Sequence, residues 1–136
     1  MTHDDDATGL LDTRHKQYAW SFATPPLPDV RTFALALAQY NEDLGIELPL
    51  DDFVLFPSPV AIVCFQGITP DGGGYDDMEV VVGAADGPSL SFFSFLYRLH
   101  SLIAPYLRDA DDVFYEGLTA IAVRDGVPVV ALILGS

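Results

Sequence analysis

The sequence predicts an α+β fold: a single domain in which a mostly antiparallel sheet of about six strands carries two helices packed on one face, in the order β-α-β-β-β-α-β-β. Three observations indicate this class. Short apolar runs of strand length alternate with turn residues. Two longer segments place apolar residues at helical spacing. The last two apolar runs flank Asp125-Gly126, a strong hairpin signal.

The chain has 136 residues, half of them hydrophobic, which suits one domain with a single core. Residues 1–16 hold few large apolar side chains, so we expect a loose acidic leader there and the domain over 17–136. The N-terminus is acidic where a secretory signal would be basic and then apolar. No apolar run approaches the ~18 residues of a membrane span. We therefore expect a cytoplasmic protein with no membrane contact.

The first strand is predicted over Gln17–Thr24, where aromatic side chains alternate with small ones before a run of prolines. Asp29 is a suitable N-cap for a helix that follows, and Gly45 suits its C-terminal end. The apolar positions at helical spacing are Val30, Phe33, Ala34, Leu37, Tyr40 and Leu44.

Three strands are predicted next, over Leu50–Phe56, Pro59–Gln66 and Met78–Ala84. The second is apolar on both faces, which is typical of a central strand. Such a strand is covered on both sides, or on one side by helices and on the other by a partner. A glycine-rich loop separates the second strand from the third.

The second helix is the strongest pattern in the chain and carries a wide apolar stripe from Phe92 to Tyr106. Pro88 suits its first turn, whereas Pro105 predicts a kink or an early end near Leu102. The chain then closes as the hairpin of Val113–Val123 and Val127–Leu134. Within it, Gly117 indicates a bulge or a close backbone approach.

Charge and cysteine content exclude several function classes. Twenty acidic side chains against six basic ones leave a net charge of −14. A nucleic-acid binder needs a basic footprint for the phosphate backbone, so that class is excluded, and docking on anionic lipid is disfavoured. Cys64 is the single cysteine, which rules out an internal disulfide and the usual thiolate zinc sites.

Catalytic residues are few. Cys64 lies in an apolar strand and is expected to be a buried small hydrophobe. His100 is the first candidate for a general base, against the alternative of a half-buried packing residue. Glu116 follows two aromatic residues, so its carboxylate is a candidate for a desolvated acid/base group, or for an ion pair with Arg98 or Arg108. No cofactor is expected.

Acidic clusters flank the glycine loop and the exit of the second helix, and they contain the candidate metal ligands Asp77, Asp111 and Asp112. Carboxylates at close spacing suit calcium or magnesium, but this spacing does not match the EF-hand loop. The alternative is solvated loop charge. Gly72-Gly73-Gly74 lacks the features of a phosphate-binding loop and stands among carboxylates.

These observations favour a non-enzymatic interaction module, for example an inhibitor or immunity-type partner of a basic protein, with association steered by charge. The alternative is a small-ligand protein or divalent-cation-dependent enzyme, in which Asp77, Asp111 and Glu116 converge. A homo-oligomer that covers its apolar sheet face with a second copy is compatible with both.

Overall fold

The structure is a computed structural model that describes residues 11, 13–47, 51–69, 71, 74–84, 87–108 and 110–136. In this part the chain has two α-helices, a mostly antiparallel five-stranded sheet and a small two-stranded sheet, which confirms the α+β class. The elements are β1 (Trp20–Ser21), α1 (Val30–Asp43), β2 (Val54–Phe56), β3 (Val60–Ile68), β4 (Tyr75–Gly83), β5 (Leu90–Ser91), α2 (Phe92–Leu107), β6 (Phe114–Arg124) and β7 (Val127–Gly135).

In the described residues the large sheet has five strands, where about six were predicted. The large sheet has the order β1-β6-β7-β3-β4, in which only β3 and β7 are parallel. β2 is shorter than the predicted Leu50–Phe56, whose residue 50 lies outside the described part, and it pairs with β5 in the small sheet. β5 has two residues, so it is too short to produce an alternating pattern in the sequence.

The N-terminal strand is also shorter than predicted. The Ser21 carbonyl accepts from the Thr24 N–H at 3.2 Å, so the chain turns where the prediction continued the strand. Before it, Thr13–Gln17 forms a short 3₁₀ helix whose His15 is fully buried. These residues of the predicted leader are therefore packed on the domain, while 1–10 and 12 lie outside the described residues.

Helix α1 has the predicted ends. The Asp29 carboxylate accepts from the Thr32 N–H at 2.8 Å, and Gly45 has a φ of +77° just beyond the helix. Its predicted apolar face is only partly correct, because Val30 and Leu44 are 38% and 56% exposed. Asn41, a polar residue, is buried on this helix instead.

Helix α2 begins at Phe92, after β5, and not at Pro88. Its first N–H groups are satisfied by the Phe53 carbonyl, the Asp52 carboxylate and the Ser91 hydroxyl. Of the kink or early end predicted near Leu102, the early end is wrong. Pro105 removes a single backbone donor in the last turn, and the helix continues to Leu107.

The core lies on one face of the large sheet, where α2 packs against β3 and β4. Ala61, Val63 and Phe65 of β3 point into it and are buried. The opposite face, called here the outer face, exposes side chains such as Val81 and Ile133. The predicted central strand is therefore flanked by β7 and β4, but its outer side is not fully covered.

The closing hairpin is confirmed. Asp125 and Gly126 form its turn with φ values of +54° and +80°. The bulge at Gly117 is confirmed as well, by a register shift between Tyr115 and Leu118 and a φ of +117°. None of the helices in the described part has the length and apolar character needed to cross a membrane.

Candidate functional site

One end of the sheet gathers the two acidic segments. The Tyr75 hydroxyl at the start of β4 accepts from the Asp111 N–H at 2.9 Å, which joins the segment after α2 to the β3–β4 hairpin. A Cβ added at Gly67 would lie 3.0 Å from the Tyr106 Cβ, so the last turn of α2 lies directly on this end.

The two segments that this contact joins carry five exposed carboxylates. We call them the acidic end: Asp71, Asp76, Asp77, Asp111 and Asp112. Asp77 accepts from the Gln66 amide at 3.2 Å, and Asp76 accepts from the Asp77 N–H at 2.9 Å. The group is a solvated, strongly negative surface.

The carboxylates expected to converge on a metal do not meet at one point. Glu116 lies on β6 and Asp77 on β4, with β7 and β3 between them. At about 4.8 Å between neighbouring strands, the backbones of β6 and β4 are roughly 14 Å apart. Within the ranges that the structure describes, no group of three or more His, Cys, Asp or Glu side chains could hold a metal ion. The predicted ligands Asp111 and Asp112 are both exposed.

Glu116 is not in the setting that the sequence predicts. Its side chain is exposed, and its carboxylate lies directly above the backbone of Gly135 in β7. In the described part it forms no ion pair with Arg98 or Arg108. The expected desolvation is therefore wrong, because the aromatic neighbours Phe114 and Tyr115 do not cover it.

His100 is enclosed in the core and is 2% exposed. Its Nδ1 accepts from the Trp20 indole at 3.0 Å, and its Nε2 lies 2.9 Å from the Thr24 carbonyl oxygen. Burial lowers its pKa below 6.5, partly offset by the bond to Thr24. Both ring nitrogens are occupied, so the ring has no free position for substrate in this conformation.

The outer face carries an ion pair that the sequence analysis did not predict. Arg124 donates to both carboxylate oxygens of Glu79 at 3.2 and 3.1 Å, and these bonds lower the pKa of Glu79. Cys64 is half-exposed beside it, with Sγ 3.9 Å from Glu79, rather than buried as expected. Burial and the nearby carboxylate raise the pKa of the thiol, which disfavours the nucleophilic thiolate.

A second concave surface lies along α1. It is a groove of about 500 Å³, and its lining includes Tyr18, Leu35, Ala38, Ile46 and Phe93. Its walls are mainly apolar. Its polar lining residues are Asn41, Glu42 and Glu47.

No family model, no curated protein and no solved structure matches the chain. Function must accordingly be argued from the acidic end, the outer face and the enclosed histidine. These features differ in whether the sequence alone reveals them. Acidic clusters are visible along the chain, whereas the contact of Tyr75 with Asp111 spans 36 positions and has no local pattern.

Proposed function

We propose that the protein is a non-enzymatic interaction module that binds a basic protein through its acidic end. The observation that carries this proposal is the hydrogen bond between Tyr75 and Asp111, which joins two segments that both carry exposed carboxylates. With a net charge of −14, such a surface attracts a positively charged partner over several ångströms in low salt.

The alternatives receive less support. A general acid or base needs a substrate-accessible group in a tuned environment. His100 is enclosed with both nitrogens bonded, and Glu116 is exposed without a charged partner among the residues that the structure describes. A metal-dependent reaction needs converging ligands, and Asp77 and Glu116 lie on strands that are not neighbours. Self-association stays a prediction, which sedimentation velocity tests.

The test compares retention of binding proteins by three immobilised forms of the full chain, exposed at low salt to a lysate of its own cells. The first is the wild type. The second has four of the five carboxylates of its acidic end neutralised: Asp76→Asn, Asp77→Asn, Asp111→Asn and Asp112→Asn. The third is a control with the same charge change elsewhere on the surface: Glu42→Gln, Asp43→Asn, Glu47→Gln and Asp51→Asn.

We expect a protein of net positive charge to be retained by the wild type and by the control, and to be lost from the variant with the neutralised acidic end. Its association rate with the wild type should fall steeply as salt rises, because the attraction is screened. Equal retention by both variants, or an association rate independent of salt, would contradict the proposal.

A further inference from the structure

β4 is the last strand of the large sheet and leaves one edge without a strand neighbour in the part of the chain that is described. Which of its backbone groups face this edge follows from two hydrogen bonds. The Ala84 N–H donates to the Pro59 carbonyl, and the Thr69 N–H donates to the Gly74 carbonyl. Because bonded pairs alternate along an antiparallel ladder, the even-numbered residues of β4 bond to β3.

The odd-numbered residues of β4 therefore direct their N–H and C=O groups outward. The Asp77 N–H is already held by the Asp76 carboxylate. The outward backbone groups of Glu79, Val81 and Gly83 have no hydrogen-bond partner among the described residues. An open strand edge of this length is a template for pairing with another chain.

We propose that the edge of β4 from Asp77 to Gly83 accepts an extended, basic segment of the partner protein as a sixth strand. This rests on the proposed function and specifies how the partner binds. Side chains directly opposite each other in a β-ladder contact, and opposite charges there are favourable. Asp77 would thus face lysine or arginine, and Val81, 61% exposed, would face an apolar residue. Glu79 lies between them with its carboxylate already bonded to Arg124, so a basic residue opposite it would share that carboxylate.

The same charges argue against a second copy of the chain as the occupant. Two β4 edges paired antiparallel over residues 77–79 would place Asp77 of one copy opposite Glu79 of the other. Like charges opposite each other destabilise a ladder. A basic strand instead supplies charge complementarity together with the backbone donors and acceptors that the edge lacks.

The probe is a synthetic peptide with alternating side chains, acetyl-Val-Thr-Lys-Thr-Lys-Thr-Lys-amide. Antiparallel to β4, its Val would face Val81 and its first two Lys residues would face Glu79 and Asp77. The control peptide has the same sequence and charge, but is N-methylated at the Val and at these two Lys residues. It keeps the electrostatic attraction and loses the backbone donors that strand addition needs.

The matched chain variants are Val81→Pro and Val81→Ala. Proline removes the outward N–H and places its ring on the edge, whereas alanine keeps the N–H and shortens the side chain. The ladder to β3 does not use the Val81 N–H, so the proline variant is expected to keep the fold, which its thermal unfolding checks. Binding is measured by isothermal titration calorimetry at low salt.

We expect the wild type and Val81→Ala to bind the unmethylated peptide about tenfold more tightly than the control, and Val81→Pro to bind both peptides equally. In the wild type, the unmethylated peptide should also slow hydrogen exchange at the amides of Glu79 and Val81, which lie opposite its first Lys and its Val. If both peptides bind alike, in a salt-dependent way, and these amides are not protected, strand addition is overturned and the acidic surface survives. If neither peptide binds at low salt, the proposed function fails as well.

Discussion

The indole N–H of Trp20 donates to Nδ1 of His100 at 3.0 Å, which joins β1 to α2 inside the core. Because an indole only donates, Nδ1 must be unprotonated. The proton is then on Nε2, which donates to the Thr24 carbonyl at 2.9 Å. His100 is therefore a neutral structural residue, and a second proton would break the bond from Trp20.

This arrangement predicts a specific loss of stability in acid. The pKa of His100 is lowered in the folded chain, so between that value and about 6.5 the unfolded chain binds more protons at this site. Stability contributed by His100 is present above pH 6.5 and falls as the pH decreases, by up to about 1.4 kcal/mol per pH unit.

Urea unfolding between pH 5 and pH 8 measures this effect, with His100→Gln as the comparison. Glutamine does not titrate, so the free energy of unfolding of the variant should depend less on pH below 6.5 than that of the wild type. Other titrating groups contribute equally to both curves. If the free energy of unfolding had the same pH dependence in the wild type and the variant, the pKa of His100 would not be lowered by folding.

A second prediction concerns Asn41, whose side chain holds the segment before β1. Its Oδ1 accepts from the Ala19 N–H at 2.9 Å, and its Nδ2 donates to the carbonyls of Ala19 and Leu37 at 3.0 and 2.8 Å. Asn41→Leu leaves the Ala19 backbone without these partners. We expect a loss of about 2–4 kcal/mol in the free energy of unfolding.

Gln39→Leu is the matched control, since Gln39 lies on the same helix but is exposed, and its side chain bonds to Asp43 at the surface. Its effect should stay within about 0.5 kcal/mol. Chemical denaturation of both variants checks the pair. Similar losses in the two would show that the Asn41 bonds to Ala19 contribute little.

The features that could be predicted from the sequence are those that depend on neighbouring residues. Asp29 and Gly45 mark the ends of α1, and the turn at Gly126 closes the last hairpin, because capping and turn geometry depend on a few adjacent residues. The burial of Asn41 and His15 could not be predicted in this way. Asn41 bonds to Ala19 and His15 bonds to Tyr115. These partners are distant in the chain, so no periodic pattern in the sequence indicates the contacts.

The candidate site divides in the same way. Both acidic clusters are visible in the sequence, and the structure places them at one end. Whether Asp77 and Glu116 meet depends on strand order, since β7 and β3 lie between them. The parallel pairing of β3 with β7 is set by the whole sheet, so no local pattern could have predicted this separation.

A third prediction concerns the start of α2. The Asp52 carboxylate accepts from the Phe93 N–H and from its neighbour Phe53, both at 2.9 Å, so it caps a helix that lies 41 positions away. Asp52→Ala should lower the free energy of unfolding by about 0.5–2 kcal/mol. Asp51→Ala is the control, because Asp51 is exposed and makes no bond to the helix. Equal unfolding midpoints for the two variants would contradict this capping role.

The last prediction concerns Gly117, the bulge residue of β6, whose φ of +117° is rarely adopted by residues with a side chain. Alanine has space there, since an added Cβ would lie 3.8 Å from the nearest atoms, which belong to His15 and Lys16. Any loss in Gly117→Ala thus comes from backbone strain, and we expect about 1–3 kcal/mol in the free energy of unfolding.

Gly83→Ala provides the comparison, because Gly83 lies in a strand without a positive φ and an added Cβ would meet only the Pro59 carbonyl at 3.9 Å. That variant should be neutral or slightly stabilising, since alanine restricts the unfolded chain. Urea denaturation of both variants distinguishes the two cases. If Gly117→Ala were as stable as Gly83→Ala, the bulge would be able to relax to a negative φ, and β6 would not depend on glycine to place Tyr115 and Leu118 on the core face.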